Sequence, residues 1–483
     1  MRNNLTAIHE PPPWRRVTEL AAYPWFVVSI TCIGAFIGQL DASIIQLTLP
    51  VLEHNFHATL AAVSWVAIGY LLAYAATLPV FARLSEIFSR KILYIAGYAV
   101  FTIATLLCGF ATNLQMLIAC RLLQGVGGGL LGANSITILT RAVTPGQRGR
   151  AMGLYAGAQA VGISAGPVVG GLLLGTVGWQ WVFWISVPFG FAGVIFGWLV
   201  LPQRVQAGEA KQFDRWGAML LSPALAALVI SLRELGTWRP EFVLLTMFVA
   251  VILLPAFIAR ERSRENPLID LKLFRVAPFV GGIIGVSASY GLLYGMFFVM
   301  SFAFVRGFNQ SPASAGIHLA VIPVVIGIAA PVSGRLYEKF GSRILTTGGM
   351  ALCSVAIVFL ATGSAQMNEG RLVAALALFG LGLGVYITPN NAATVAAAPE
   401  GRNTQAGGLL NLMRVLGCMA GIVISSSALS WRLRVDTGFA KRTFEVSTSE
   451  IMSATHQALW ALLFFSILAG TTALLRNRAD LRS

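Results

Sequence analysis

Charged side chains are scarce in this chain of 483 residues, of which Asp, Glu, Lys and Arg together make up 11%. Ordinary soluble domains are about a quarter charged. Hydrophobic residues make up 56% of the chain, and apolar runs of about 20 residues, each long enough to cross the hydrocarbon of a bilayer as a helix, recur along nearly its whole length. The composition excludes an ordinary soluble domain and predicts an all-α membrane protein that crosses the lipid bilayer many times.

Signatures of several other functions are also missing. The five cysteines lie inside apolar runs without metal or disulfide spacing, so we interpret them as small buried hydrophobic residues and expect no metal site. There is no GxxxxGK[ST] loop, so we expect no ATP site and no cofactor. The net charge of +15 is spread over short loops rather than gathered in a basic stripe, so we expect no nucleic-acid partner.

Fourteen apolar stretches are predicted to be membrane helices. They lie at 25–50, 62–81, 92–111, 114–140, 151–174, 181–201, 216–233, 242–259, 278–304, 313–333, 344–362, 371–389, 404–428 and 457–475. An even number places both termini on one side, and that side carries 24 Lys and Arg residues against 8 on the other. Short cytoplasmic loops are enriched in Lys and Arg. The chain is therefore predicted to lie in the cytoplasmic (inner) membrane with both termini in the cytoplasm.

An internal repeat divides the chain into two related halves. ARLSEIFSRKILYIAG at 82–97 and GRLYEKFGSRILTTGG at 334–349 share seven of 16 residues. When the two inserted helices are left out, equivalent positions of the two repeats are six helices apart. Six is an even number, so the two halves have the same orientation in the membrane, as in transporters built from parallel repeats. The predicted domains are a cytoplasmic tail (1–24), a six-helix bundle (25–201), linkers with two inserted helices (202–277), a second six-helix bundle (278–475) and a cytoplasmic tail (476–483).

Six motifs occur in order along the chain. They are LDASIIQLTLP at 40–50, ARLSEIFSRK at 82–91, RLLQGVGGG at 121–129, GISAGPVVGG at 162–171, GWQWVFWISVPFG at 178–190 and NPLIDLKLFR at 266–275. Together they resemble the motifs of the major facilitator superfamily, specifically those of its 14-helix drug:proton antiporter branch, which contains multidrug efflux and antibiotic resistance transporters. Ser43, Gln46, Thr48 and Glu86 depart from the branch's patterns.

The resemblance implies a fold and a function. The fold is the major facilitator fold, with two six-helix bundles related as parallel repeats and two inserted central helices. The function is export of lipophilic small molecules in exchange for protons by alternating access, without enzymatic activity. A dedicated exporter of one metabolite or organic anion stays open as an alternative, and an ion channel is a more distant one. A periplasmic adaptor partner is possible, but no feature of the sequence supports it.

Two of the motifs are expected to control opening and closing. Carboxylate–guanidinium pairs in the cytoplasmic loops of the two repeats could latch the closed arrangement, or the loop charges could serve only as topology signals. These gate residues are Arg83, Glu86, Arg90, Lys91, Arg335, Glu338 and Arg343. The second motif bends one helix at a proline and lets a neighbouring helix approach closely, which could form a seal or be ordinary packing. Its residues are Gly162, Gly166, Pro167, Gly170 and Gly171.

Asp41 is the acidic residue that lies well inside a predicted helix. An Asp at the centre of a membrane helix costs about 2.5–3.5 kcal/mol on insertion scales, so such residues usually face a cavity or a partner. Arg121 lies at a similar depth in the fourth helix. We predict that Asp41 binds the coupling proton and that Arg121 tunes it; the competing interpretation is a permanent structural ion pair.

Six further residues are predicted to face the substrate. They are Arg414, Asn134, Asn411, Tyr290, Tyr294 and Phe298. Aromatic faces suit flat lipophilic molecules and can make cation–π contacts, although such residues also pack against helices or lipid. With two arginines and one aspartate, the interior would favour anionic or neutral compounds when Asp41 is protonated, whereas an ionised Asp41 could attract a cation.

Overall fold

Every regular element in the described part of the chain is a helix. The computed structural model describes residues 12–203, 214–234, 240–264, 267–363, 368–399, 402–437 and 442–474. The long helices are α1 (Tyr23–Asn55), α2 (Trp65–Ile87), α3 (Arg90–Gly109), α4 (Leu114–Ala142), α5 (Arg148–Thr176), α6 (Val187–Val200), α7 (Arg215–Arg233), α8 (Pro240–Arg262), α9 (Ala277–Phe302), α10 and α11 (within Pro312–Thr362), α12 (Glu369–Ala396), α13 (Asn403–Thr437) and α14 (Thr448–Leu474). Short helices at Arg15–Thr18, Leu60–Val63 and Gln180–Trp184, a π-helical turn at Ala303–Gly307, and 3₁₀ turns at Pro145–Gln147, Leu271–Arg275 and Thr443–Glu445 complete the set.

The segment Pro312–Thr362 is two helices joined at a sharp bend. Its 51 residues would form a straight rod of about 76 Å at 1.5 Å per residue, more than twice the thickness of a bilayer core. Gly341 interrupts it with φ 72° and ψ 175°, a backbone conformation that favours glycine. We therefore name residues 312–340 α10 and residues 342–362 α11.

Contacts with α12 confirm that α11 folds back alongside α10. A Cβ atom built at Gly380 would lie 2.6 Å from the carbonyl oxygen of Ile322, and one built at Gly382 would lie 2.6 Å from that of Gly349. Two neighbouring residues of α12 thus meet residues that are far apart in the 312–362 segment. A straight helix could not make both contacts.

The helical membrane fold is confirmed, whereas the count of fourteen crossings stays a prediction. Twelve helices among the described residues are long and apolar enough to cross a membrane when 312–362 is counted once. Trp216–Ser231, within α7, is a shorter apolar helix. Fourteen crossings require α10 and α11 to be counted separately and α7 to cross.

The glycines of the fifth helix fix two close helix contacts. A Cβ at Gly162 would lie 2.5 Å from the carbonyl oxygen of Phe36 in α1, and one at Gly171 would lie 2.5 Å from that of Pro312 at the start of α10. The first contact lies inside the N-terminal half, and the second joins the two halves. We call the end of the bundle that holds Thr176 and Pro312 the outer end, because the loop charges predict that it faces away from the cytoplasm.

The inserted pair α7 and α8 packs together and is fastened to α2 near the outer end. Arg233 Nη2 donates to the Ala61 carbonyl at 2.6 Å, and Arg233 Nε donates to Ser64 Oγ at 3.0 Å. Trp65 Nε1 donates to Glu234 Oε1 at 2.7 Å. After α8, Asp270 forms an ion pair of 2.7 Å with Arg402, which immediately precedes α13.

The predicted domain boundaries stay a prediction. Residues 1–11 and 475–483, which make up much of the two predicted tails, lie outside the described residues, as do 204–213 of the predicted linker.

Candidate proton site and substrate cavity

Asp41 and Arg121 form a direct ion pair inside the bundle. Asp41 on α1 is 2% exposed and Arg121 on α4 is 0% exposed, and Arg121 Nη1 donates to Asp41 Oδ2 at 2.7 Å. Arg121 Nε also donates to the Val66 carbonyl at 2.8 Å, and its guanidinium lies 4.5 Å from the centre of the Tyr70 ring. The prediction that these two residues lie at one depth is consistent with this contact.

Gln124 completes the network around the carboxylate. Its Nε2 donates to Asp41 Oδ1 at 2.8 Å and to Thr105 Oγ1 at 2.7 Å, while its Oε1 accepts from Arg121 Nη1 at 2.5 Å. Both oxygens of Asp41 are therefore occupied by donors. A proton that binds to Asp41 removes the negative charge that these donors share, so protonation weakens the contacts of Asp41 with Arg121 and Gln124.

Beside this network lies a cavity whose wall is formed by residues of both halves. Its wall includes Ala42, the residue after Asp41. Five tyrosines from both halves contribute to the wall: Tyr70, Tyr74, Tyr155, Tyr290 and Tyr294. None of the described residues that line it is an aspartate or a glutamate.

Arg414 is the charged side chain in the described wall of this cavity. Its Nη2 donates to Asn411 Oδ1 at 2.5 Å, and its guanidinium lies 5.7 Å from the centre of the Tyr290 ring. Asn411 Nδ2 in turn approaches Tyr74 OH at 3.4 Å. These contacts link α13 and α9 of the C-terminal half to α2 of the N-terminal half.

The structure brings some of the predicted substrate residues together and not others. Arg414, Tyr290 and Tyr294 line the cavity, and Asn411 contacts Arg414 behind its surface. Asn134 is fully buried and donates to the Leu130 carbonyl of its own helix at 2.9 Å. Phe298 is also fully buried and packs against Phe302, with ring centres 5.1 Å apart. Asn134 and Phe298 therefore lie outside the cavity wall, a correction to the sequence-based expectation.

The two gate loops differ in the structure. In the first loop, Arg83 and Glu86 form the expected ion pair, and Arg90 and Lys91 begin α3. In the second loop, Arg335 and Glu338 are exposed and Arg343 is half-buried. Among the described residues, none of these three takes part in an ion pair. The corresponding latch is therefore absent from the second loop in this conformation, and the latching role of either loop stays a prediction.

At the outer end, a strap joins the two halves. The 3₁₀ turn Thr443–Glu445 follows α13, and Thr443 lies against α1. The Thr443 amide donates to Glu53 Oε1 at 2.7 Å, and the Thr443 hydroxyl donates to Glu53 Oε2. Arg306 Nη2 donates to the Thr443 carbonyl at 3.2 Å. Together with the contact between Gly171 and Pro312, this strap links the two halves at the outer end.

The sequence reasoning missed Gln124, Tyr70, Tyr74 and Glu53. Gln124 follows Arg121 by three residues, a spacing that places both on one face of a helix, and Tyr70 and Tyr74 share a face for the same reason. Those two signals were present in the sequence. Glu53 resembled an ordinary charged helix end, and its partner lies 390 residues away, so no local pattern could reveal it.

Comparisons with known proteins agree with this architecture. The family model of the Major Facilitator Superfamily matches residues 31–422. A riboflavin transporter of Clostridioides difficile, RibZ, is 31% identical over 90% of this chain and 94% of its own length. The tetracenomycin C resistance and export protein of Streptomyces glaucescens is 29% identical over 86% of this chain and 77% of its own.

A multidrug resistance protein B homolog of Mycobacterium tuberculosis is 28% identical over 83% of this chain and 76% of its own length. Among solved structures, an inward-facing bacterial homolog of the human lysosomal transporter Spinster superposes with a TM-score of 0.69. It shares 17% sequence identity and covers 96% of this chain and 98% of its own. At this identity the likeness concerns the fold alone.

Proposed function

Because the chain belongs to the Major Facilitator Superfamily, whose members are membrane transporters and not enzymes, we propose that it exports lipophilic, drug-like compounds in exchange for protons. The observation that carries the proposal is the buried Asp41, held by Arg121 and Gln124 one residue from the wall of a tyrosine-lined cavity. Relatives named for drug resistance and export support the direction of transport.

Asp41 binds and releases the coupling proton in this proposal. Ionised Asp41 holds Arg121 and Gln124 through its two oxygens. A proton on either oxygen removes the negative charge that attracts Arg121 Nη1 and weakens the link between α1 and α4. Since these helices also form the cavity wall, a change in their contact alters the space that the substrate occupies.

Alternating access supplies the transport step. With the outer end closed by the strap at Glu53 and by the contact of α5 with α10, this conformation supports loading from the side that the loop charges predict to be cytoplasmic. Rocking of the two halves then opens the outer end. The inner-membrane location and the cytoplasmic termini belong to this proposal.

The test is proton release from acid-loaded proteoliposomes that contain an internal pH dye. We expect at least one member of a panel of lipophilic aromatic compounds (anionic, neutral and cationic), added outside, to trigger proton release by the wild-type protein. Asp41→Asn should abolish that response. Asp436→Asn is the matched control, because Asp436 lies at the end of α13 in an exposed pair with Arg432.

A wild-type rate of proton release by Asp41→Asn, at equal protein level, would contradict the assignment of the proton to Asp41. Lost stability with retained coupling in that variant would instead favour the permanent structural pair. Measuring thermal unfolding alongside transport separates these outcomes.

A second candidate function is export of one metabolite or organic anion. The relative named as a riboflavin transporter and the presence of Arg414 in the cavity wall favour it. Competition among chemically unrelated dyes distinguishes the two functions, since a multidrug exporter should transport several of them and a dedicated exporter should not.

A further inference from the structure

Arg414 carries its charge near the middle of the membrane. It lies 11 residues after Asn403, the first residue of α13, or about 16 Å along the helix at 1.5 Å per residue. Half of a bilayer core of about 30 Å is close to that depth. Ionisable residues at such depths are rare, usually paired, and often mark the path of a substrate.

The counter-ion of Arg414 is missing from the described residues. Arg121 is paired with Asp41, and Arg83 with Glu86. For Arg414, no described carboxylate lies within ion-pair distance. Its contacts are the neutral Asn411 and the ring of Tyr290. A positive charge is therefore held at the cavity surface with its charge uncompensated by the wall.

The rest of the wall is rich in aromatic side chains. Tyr290 and Tyr294 project from α9, and Tyr70 and Tyr74 from α2. Tyrosine rings stack with flat molecules, and their hydroxyl groups donate or accept hydrogen bonds. An organic cation would meet Arg414 in a wall whose described part carries no acidic residue. Asp41, the acidic residue of the adjacent network, is already engaged by Arg121 and Gln124.

We propose that this cavity selects aromatic organic anions, with the anionic group paired to Arg414 and the ring system lying among the tyrosines. This inference rests on the proposed function and narrows its substrate class. A guanidinium presents its donors in a planar fork that matches a carboxylate. Asn411 is a positioning residue, because it holds Arg414 Nη2 and contacts Tyr74 of the other half.

Three analogues that differ in one group test the proposal. They are anthracene-2-carboxylate, its neutral carboxamide and the cationic 2-(aminomethyl)anthracene. Binding to the purified full-length protein is measured by their fluorescence. We expect the wild-type protein to bind the carboxylate about tenfold or more tightly than the carboxamide, as a charged hydrogen-bonded pair implies, and to bind the cation most weakly.

Variants of Arg414 distinguish the effect of losing its charge from the effect of misfolding. Arg414→Gln should bind carboxylate and carboxamide equally, and Arg414→Lys should keep part of the preference. Arg432→Gln is the matched control, since Arg432 lies on the same helix in an exposed pair with Asp436, and it should behave like wild type. Equal retention of carboxylate and carboxamide binding by Arg414→Gln also shows that this variant is folded.

Several results would overturn the proposal. They are equal binding of carboxylate and carboxamide by the wild-type protein, tightest binding of the cation, an undiminished preference in Arg414→Gln, or failure of all three analogues to bind. The proposed proton exchange is judged separately, by proton release that depends on Asp41. A cation that triggers such release would leave the exchange function intact and reject the anion site.

Discussion

Gln124 holds the Asp41 carboxylate as closely as Arg121 does. The amide touches three partners at once: Asp41, Arg121 and Thr105. It is fully buried, so each of those partners depends on it rather than on water. At the scale of single residues, the proton site is therefore a three-part unit rather than an ion pair.

Replacing Gln124 by leucine should destabilise the protein by about 1–3 kcal/mol, because the variant leaves buried donors and acceptors unsatisfied. We expect a lower unfolding temperature and slower proton-coupled transport. Gln159→Leu is the stability control, since Gln159 is half-buried in the cavity wall. Equal unfolding temperatures for the two variants would show that the amide contributes little.

The sequence could predict charged members of the site better than neutral ones. Asp41 and Arg121 were identifiable because an ionised side chain in an apolar run is costly and therefore informative. Gln124 carries no charge, so only its spacing from Arg121 pointed to it. Phe298 continues the face of Tyr290 and Tyr294 by one turn, but other side chains cover that turn, and helical spacing alone cannot tell where a cavity ends.

At the scale of elements, we expect the strap at Glu53 to hold the outer end closed. Glu53→Gln replaces one of the two carboxyl oxygens that accept from the Thr443 amide and hydroxyl with an NH2 group, so one of the two hydrogen bonds is lost, at a cost of about 1–1.5 kcal/mol. We expect the outward-open population to rise about tenfold.

Labelling of Cys418, which lines the cavity, measures this change. The other four cysteines, Cys32, Cys108, Cys120 and Cys353, are replaced by alanine, and a membrane-impermeant thiol reagent is applied from the outer side. Glu450→Gln serves as the control, because Glu450 bonds Ser447 within the C-terminal half. Equal labelling of Cys418 in both variants would argue against a gating role for the strap.

The contact between α5 and α10 should act as a seal. Gly171→Ala places a methyl group 2.5 Å from the Pro312 carbonyl oxygen, which forces the two helices apart at the outer end. We expect faster proton leak through proteoliposomes without substrate. Gly175→Ala, one turn away with open space around it, should leak like wild type. Matching leak rates would indicate that Gly171 serves packing alone.

The repeated loops show where element-level prediction succeeds and where it fails. Ser89 and Gly341 occupy equivalent positions of the repeat, and both mark the predicted turn. Ser89 turns the chain with an extended backbone, and its hydroxyl accepts from the Ile92 amide at 3.3 Å to cap α3. Gly341 turns the chain through a positive φ, and as a glycine it has no side chain that could cap the next helix. The repeat predicts a turn, but the two residue types close it by different means.

At the scale of the whole molecule, the anion site makes transport sensitive to membrane potential. Exchange of one departing monovalent anion for one entering proton moves two charges in the same electrical direction, each worth about 2.3 kcal/mol per 100 mV. We expect a potential that is negative inside to accelerate efflux of anthracene-2-carboxylate from loaded proteoliposomes at equal pH.

The neutral carboxamide is the internal control for this measurement. Its exchange for one proton moves a single charge, so the same potential should accelerate it less. An equal response of the two analogues would mean that the charge of the substrate is compensated by a further ion in the cycle.

The helical membrane class and the repeated halves could be predicted from the sequence, because both depend on local hydropathy and on similarity between segments. Which end of the bundle is open could not be predicted from the sequence. The same apolar helices form the bundle whether its outer end is open or closed, and the choice depends on long-range contacts such as Glu53 with Thr443. Those contacts leave no periodic signal.

The two fastenings of the inserted helix pair have a mechanical consequence. Near its outer end the pair is tied to α2 through Arg233 and Glu234, and beyond α8 it is tied through Asp270 to Arg402 at the start of α13. If the halves rock, we expect these anchor points to move relative to each other and α7 and α8 to tilt in the surrounding lipid. Such tilting would make the turnover rate depend on the viscosity and thickness of the bilayer as well as on the chain.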